Sequence, residues 1–372
     1  MKGEYKVKIS KKTLNIIEII ILFGVIFALS IGNILSADLE YSKSERRKLM
    51  QLSGVTSSEN ISDSFEEYSL DQFIYRDKFR TLKSFVSFYI LGQSDNNDIY
   101  IYNDQAVKID KEINVESLNN FNSKVGNIHK MVSKYIDTDN MYFVLAPDKN
   151  MYLGENSNHP YVKYDEILSM IDVGTVNKIG IYNSIDSEGF YNTDLHWKQE
   201  SLQTVKEKIL SEMGMESSWN YTEKAKTDKF YGVYYGQSAL PLSPEPLVYM
   251  SNTNTENATV FDYELNKEVG MYDLSPNLDD EYSTFLYGPK SMLKITKAGV
   301  DEPKNRLIMF RDSFGSTLAP LMIDEFDEIY VLDTRYMNPI LMEKMVDFGS
   351  DIDTKVLFLY SFGIINDSIM LK

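Results

Sequence analysis

Three histidines are all that this 372-residue chain offers for imidazole chemistry, and it has no cysteine. Thiol catalysis and thiolate metal sites are therefore excluded at the outset. His129 lies in a helical pattern, one residue after the apolar Ile128, and reads as a partly exposed helix residue. His159 precedes Pro160 in an Asn/Ser loop and reads as part of a turn. His196 differs, because it stands in Tyr191-Asn192-Thr193-Asp194-Leu195-His196-Trp197, at the junction of a loop and a helix, two residues after an acid. In extended backbone, residues i and i+2 project to one side, which would turn Asp194 and His196 toward a common pocket. An acid beside an imidazole fixes its tautomer and stabilises the imidazolium formed when the ring takes a proton. The same seven residues also suit a plain helix start, with Thr193 or Asp194 as the N-cap and His196 in the first turn.

A second candidate is Leu307-Ile308-Met309-Phe310-Arg311-Asp312-Ser313-Phe314-Gly315-Ser316, an apolar run that passes directly into Asp-Ser-Phe-Gly. A serine at the tip of a strand in a parallel sheet lies at the carboxyl edge, where α/β sites form. Its N–H, at a helix N-terminus, can help bind an oxyanion, and Gly315 allows a close approach of backbone to the reacting atom. Here too Asp312 or Ser313 would serve equally as a helix cap. Together the two segments supply an acyl-transfer triad, with Ser313 as nucleophile, His196 as base and Asp194 as the group that orients the ring. No His/Asp/Glu cluster has metal-ligand spacing, and there is no G-x-G-x-x-G or Walker loop, so neither a metal nor a nucleotide cofactor is expected. Paired-carboxylate glycosidase chemistry has acids enough in this chain but no motif.

The elements that must position these residues read as α/β. Ile99–Tyr102 is a short strand opening toward the turn signal Asn103-Asp104, and residues 115–136 are helix-like, with Leu118, Phe121, Val125, Ile128, Val132 and Ile136 in steps of three and four. Residues 142–146, 178–182, 307–310, 329–332 and 356–360 are short apolar strands. Leu202, Val205, Ile209 and Met213 mark one face of a helix starting near Trp197. Fully apolar strands separated by helices imply a parallel sheet flanked by helices on both faces. Residues 217–303, rich in Tyr, Asn, Thr and Pro, break the rhythm and read as a β-rich insertion, with alternating pieces at 248–250 and 259–261.

The amino terminus reads as a membrane anchor. Lys2, Lys6, Lys8, Lys11 and Lys12 precede an apolar stretch, Leu14 to Leu35, whose only charge is Glu18. As a helix those 22 residues would be roughly 33 Å long, enough for a bilayer core of about 30 Å. The positive-inside rule keeps the lysines in the cytoplasm and sends the rest across. A cleavable signal peptide is the rival, but its apolar core is about 7–15 residues and Leu35-Ser36-Ala37 is a poor cleavage site. The organisation expected is a cytoplasmic tail (1–12), a signal-anchor (13–36), a polar juxtamembrane stalk (37–83) that includes Ser57-Ser58-Glu59-Asn60, and a catalytic domain (84–372). The net charge of −17 falls to −20 once residues 1–37, with five lysines and two acids, are set aside. Such a surface repels nucleic acid, anionic lipid and acidic wall polymers, and a neutral glycan is the easier partner.

The residues carry a resemblance. Thr193-Asp194-Leu195-His196-Trp197 resembles the "TDxHW" element of the DHHW family, and Arg311-Asp312-Ser313-Phe314-Gly315 with Ala319-Pro320 resembles its "DSFG/DSYG…P" element. Weaker matches are Pro147-Asp148-Lys149, like "PDK" after a strand, and Val331-Leu332-Asp333-Thr334-Arg335-Tyr336, like "VxDxRY". Leu195 stands where the name-giving motif has the first of its two histidines. The likeness spans about residues 70–372, and that family is similar to the SGNH-hydrolase-like domains of alginate O-acetyltransferases. It implies an SGNH-like fold and a membrane-anchored, outward-facing O-acetyltransferase that modifies a secreted polysaccharide, with Ser313, His196 and Asp194 in the roles above. It also implies a membrane-bound O-acyltransferase as acetyl supplier. Arg311 and Tyr336 are carried as substrate-binding positions; for them and Arg335 a structural ion pair is the alternative. Two other readings are an acetyl esterase, which shares the acyl-enzyme, and a non-catalytic component of a polysaccharide assembly complex.

Overall fold

The computed structural model describes residues 10–58, 60–276, 278–348 and 351–372; Lys2, Lys6 and Lys8 of the basic tail, and Glu59, lie outside the described residues. The chain divides into two compact units, Met1–Val86 and Ser87–Lys372.

In the amino-terminal unit the apolar stretch is a single helix, Lys11–Leu35, of mean hydropathy 2.6 over its most apolar window, long and apolar enough to cross a membrane. Ser10 caps it, accepting from Thr13 N. Short helices follow at Leu52–Ser57, Ile61–Asp71 and Arg76–Phe85, gathered around a charge cluster in which Arg47 donates twice to the buried Asp71 (2.5 and 2.8 Å).

The second unit is built on one eight-stranded sheet. Its strands are β1 (Met141–Ala146), β2 (Asn177–Ile179), β3 (Thr259–Asp262), β4 (Lys267–Val269), β5 (Met292–Thr296), β6 (Asn305–Arg311), β7 (Glu328–Leu332) and β8 (Asp353–Ser361), in spatial order β4-β3-β5-β7-β6-β8-β1-β2. From β7 through β2 every pairing is parallel, with Phe310 opposite both Leu332 and Phe358. The α/β architecture is thus the one the apolar runs imply, and the reason is visible in the packing. Successive residues of a strand feed opposite cores: Tyr142, Val144, Leu307, Met309, Leu357 and Leu359 enter one, and Phe143, Leu145, Ile308, Phe310, Val356 and Phe358 the other. The helix Gln203–Glu212 covers the first face and the helices Val115–Val132 and Tyr164–Met170 the second. With both faces dry, both sets of side chains must be apolar.

Several boundaries differ from the sequence reading, each for a local reason. Residues 217–303 are β-rich as expected, with five strands among the described residues, and three of these, β3, β4 and β5, extend the sheet with antiparallel pairings, so the sheet is mixed. Only β4 of these three lies at the edge, where Lys267 and Glu268 are exposed. The other two, Thr222–Phe230 and Glu245–Ser251, pair only with each other. The strand expected at 178–182 ends at Ile179, because the N–H of Ile181 is taken by the Tyr164 hydroxyl (3.2 Å) in place of a neighbouring strand. The helix expected near Trp197 begins at Gln203, after a single 3-10 turn at Gln199–Ser201; in the stretch before it Trp197 and Gln199 are buried. His129 is buried, its ring beneath Gly174 and its Nε2 3.0 Å from the Thr175 carbonyl, because the loop after the helix Tyr164–Met170 folds over it.

Candidate active site

Ser313 follows β6 directly, at the carboxyl edge of the parallel strands. Asp312 fixes this turn: one carboxylate oxygen accepts from Phe314 N (2.9 Å), and the other from the N–H (2.7 Å) and hydroxyl (2.6 Å) of Ser361 at the end of β8. The short helix Gly315–Leu318 starts without a side-chain cap, which leaves the Ser313 hydroxyl uncommitted to that task. Gly315 has a purpose other than the one expected of it. A Cβ there would lie 2.6 Å from Cβ and 2.8 Å from Cγ of Arg311, so its bareness lets the Arg311 stem fold against the nucleophile turn.

The opposing wall is the segment 190–197, a tight turn and not an extended strand. Tyr191 N donates to His196 O (3.1 Å), and Phe190 bridges Trp197. Asp194 and His196 therefore meet by chain reversal, whereas the sequence reading relied on alternation. Asp194 is fully buried and each of its oxygens is engaged: Oδ1 accepts from His196 N (3.0 Å) and stands 2.5 Å from Nδ1 of the ring, and Oδ2 accepts from Val233 N (2.8 Å). Thr193 and Asp194 do not cap a helix in their own segment but meet the start of a distant one, Val233–Ser238, where Asp194 takes the N–H of Val233 and the Thr193 carbonyl that of Tyr234 (3.0 Å). The Thr193 hydroxyl donates to the buried Glu245 (3.3 Å) and accepts from Gly232 N (2.8 Å).

Across the cleft, His196 Nε2 lies 2.7 Å from Ser313 Oγ. With Nδ1–H donated to Asp194, Nε2 presents its lone pair to the serine hydroxyl. The ring can then take that proton as the oxygen attacks a carbon, and the carboxylate stabilises the resulting imidazolium.

Three neighbours hold the pair in register, and none was singled out from the sequence. Tyr282 stacks on the His196 ring at 3.9 Å between centroids and 12° between planes. Trp197, fully buried, donates its indole N–H to Phe314 O (3.1 Å) and Thr317 Oγ1 (2.7 Å), so consecutive residues tie both ends of the contact. Gln199 donates to Thr317 O (2.8 Å) and accepts from Met250 N (2.7 Å). The nearest signal for the first two was the aromatic residue after His196 and the tyrosine-rich composition of residues 217–303.

Behind the turn, the fully buried Lys149 donates its ammonium to Ala106 O (2.6 Å) and Tyr191 O (2.8 Å), with Asn192 O at 3.4 Å. Burial pulls its pKa down to about 8, against the raising influence of Asp148. Lysine here cross-braces the backbone that carries Asp194.

The cleft over Ser313 has a volume of about 110 Å³ and is lined by His196, Tyr282, Arg311, Ser316, Arg335 and Tyr336, among others. That is room for an acyl group of a few heavy atoms, well short of the roughly 300 Å³ where drug-sized ligand sites begin. Arg335 pairs with the buried Asp333 (2.6 Å), which holds its pKa up, and lies over the Tyr336 ring. Arg311, only 1% exposed, reaches the same carboxylate weakly (3.4 Å). Burial draws its pKa down, opposed by Asp333. Its Nε and Nη2 have no hydrogen-bond partner among the described residues. A buried guanidinium with two idle N–H groups in the wall of the cleft over Ser313 is suited to developing negative charge. Tyr336, 45% exposed, stands at the rim.

The other histidines take no part: His159 stacks on Tyr100 at 3.9 Å, and His129 is held by Thr175. A larger concavity of about 850 Å³ lies in the amino-terminal unit, between Ser36 and Lys78, but no histidine lines it. Among the described residues, no group of three or more His, Asp or Glu could hold a metal ion.

No protein-family model matches the chain, and no curated protein matches it in sequence. Its fold is shared with solved structures. A DHHW family protein from Eubacterium siraeum superposes with a TM-score of 0.58 at 18% identity, covering 73% of this chain and 93% of the other. PatB1 of Bacillus cereus, solved with a sulfonyl adduct, superposes at 0.55 with 15% identity over 72% and 97%. The O-acetyltransferase domain of Pseudomonas putida AlgJ gives 0.41 and 9% identity over 68% and 84%.

Proposed function

We propose that this chain is a membrane-anchored O-acetyltransferase acting outside the cytoplasm on a secreted or cell-surface polysaccharide. The observation that carries this reading is the unbroken contact from Asp194 through His196 to Ser313, opening on a cleft of acyl-group size. Ser313 Oγ attacks the acetyl carbonyl carbon while His196 Nε2 takes its proton. The oxyanion of the tetrahedral intermediate is met by the idle N–H groups of Arg311 and by the Ser313 N–H. His196 returns the proton to the departing alcohol, leaving acetyl-Ser313. An acceptor sugar hydroxyl then attacks, giving its proton to His196, and Ser313 is released with that proton.

The helix Lys11–Leu35 serves as the anchor, with the basic tail inside and the second unit outside. The charge of the exported part favours a neutral glycan as acceptor, and a membrane-bound O-acyltransferase is the supplier of acetyl groups. That PatB1 was captured with a sulfonyl adduct is in keeping with a reactive nucleophile on this fold.

The test is to incubate the full chain in detergent micelles with a chromogenic acetyl ester and neutral oligosaccharides, then weigh the sugars by mass spectrometry. Acetylated sugar, absent with Ser313→Ala and with His196→Ala, is the expected result. Acetate without acetylated sugar would make the protein an esterase, and full activity in both variants would remove the triad and leave a non-catalytic assembly role.

A further inference from the structure

The helix Arg76–Phe85 is built inside out. Three of its polar side chains face the protein, Arg76 and Arg80 both reaching Glu45 (2.7 and 3.0 Å) and Ser84 buried, while Asp77, Lys78 and Lys83 are exposed. Its apolar side chains face outward, with Phe79 44%, Leu82 57% and Phe85 44% exposed. At 100° per residue those three positions fall within about 120° of arc, an apolar stripe with Lys78 on the same outward face toward its start and Lys83 at one border. In water such an arrangement wastes the hydrophobic burial that normally orients a surface helix.

The start of this helix is fastened to the end of the apolar helix. The Asn33 side chain accepts from Ile74 N (2.6 Å), and a Cβ on Gly32 would lie 3.0 Å from Ile74 Cδ1, so that glycine admits the contact. Gly32 and Asn33 belong to the last turn of Lys11–Leu35, whose 25 residues make roughly 37 Å of helix against a hydrocarbon core of about 30 Å. Ile74 therefore sits at headgroup depth if the apolar helix spans.

We propose that Arg76–Phe85 lies in the outer membrane–water interface, with Phe79, Leu82 and Phe85 set into the acyl boundary and Lys78 and Lys83 extended to the lipid phosphates. The proposal rests on the reading of Lys11–Leu35 as a bilayer span. It assigns the amino-terminal unit a second hold on the membrane, besides the span itself. Aromatic and leucine side chains on one face, with one lysine at its border and another whose long stem can snorkel from it, suit an interfacial helix, and such a helix buries its face about 5–10 Å into the boundary.

Because the chain has no cysteine, each introduced one is a unique label. The full chain is reconstituted into phosphatidylcholine/phosphatidylglycerol nanodiscs with an environment-sensitive fluorophore at Phe79→Cys, Leu82→Cys, Asp77→Cys on the opposite side, or Phe23→Cys within the apolar helix. Nitroxide lipids then quench from high on the acyl chain or from its end. Blue-shifted emission at 79 and 82, lost to the shallow nitroxide, with 77 unaffected and 23 lost to the deep one, is the expected result. If 23 is quenched while 79 and 82 are as water-exposed as 77, the interfacial proposal falls, the span stands, and the stripe is left for a protein partner. If 23 escapes quenching, the span itself fails and the proposal with it.

Discussion

Replacing Asp194 by asparagine keeps the shape of the site and changes only where hydrogen-bond acceptors stand. Both carboxylate oxygens are committed to N–H donors: Oδ1 to the His196 backbone and ring, and Oδ2 to Val233. An amide has one oxygen. Placed at Oδ1, it turns its NH₂ against the Val233 N–H. Placed at Oδ2, the NH₂ faces His196 Nδ1, and the ring moves its proton to Nε2, which then meets Ser313 as a donor and cannot act as base. Either way a buried donor loses its acceptor, worth about 1–3 kcal/mol of stability. The second arrangement also removes the charge that stabilises the imidazolium. In serine hydrolases with this triad the equivalent change costs about 10⁴ in kcat, so a loss of three to four orders is expected here, roughly 4–5.5 kcal/mol at about 1.36 kcal/mol per tenfold. Initial rates on a chromogenic acetyl ester, read beside a thermal melt, measure both effects. A variant that folds and loses less than about tenfold in kcat would refute the assignment of Asp194 as the group that sets the ring's tautomer.

Other consequences are open to the same assays. Arg311→Met should lower kcat by about 10² to 10³ with little change in KM, because the idle guanidinium N–H groups matter only once the oxyanion forms, while Asp333 stays paired with Arg335. An unchanged kcat would remove Arg311 from the mechanism. Lys149→Met should leave a folded protein with kcat reduced about tenfold or more and KM unchanged, since the carbonyls of Ala106 and Tyr191 lose their brace and the Asp194 turn loosens. Full activity in that variant would make the lysine merely structural. Burial, with the Asp148 carboxylate alongside, pushes the Asp110 carboxyl up to about 8. The folded state thus holds a proton that the unfolded state has released between about pH 4 and pH 8, and stability falls as pH rises through that window. Asp110→Asn should melt clearly above the wild type at pH 8.5 and close to it at pH 4. Equal differences at both pH values would contradict the shift.

The inner strands of the parallel sheet were legible because they are buried on both faces, so Met141–Ala146 and the heart of β6 and β8 spell themselves as apolar runs, whereas β2, at the edge, is mostly exposed. The antiparallel strands were less so: β3 showed only as the alternating piece 259–261, and β4, at the edge with Lys267 and Glu268 exposed, left no apolar run. Ser313, Asp194 and His196 could be picked out by residue scarcity and local spacing. Their meeting could not, because 117 positions separate His196 from Ser313 and only the fold closes that gap. Tyr282 and Gln199 were invisible for the same reason, since a stacked ring and a carboxamide bridge are tertiary relations with no pattern of their own, and Lys149 showed only as the end of a weak Pro-Asp-Lys match, without its bracing role. Trp197 was misread because a helix start and an inward-turned indole leave the same letters in the chain.

Sulfonyl fluoride labelling tests the heart of the account, that Ser313 is a nucleophile activated by His196. Intact-mass and peptide mass spectrometry of the full chain treated with a phenylmethyl- or methylsulfonyl fluoride should find one adduct per chain, on Ser313, that fails to form in His196→Ala. No adduct, or an adduct at another residue with Ser313 left free, would contradict it.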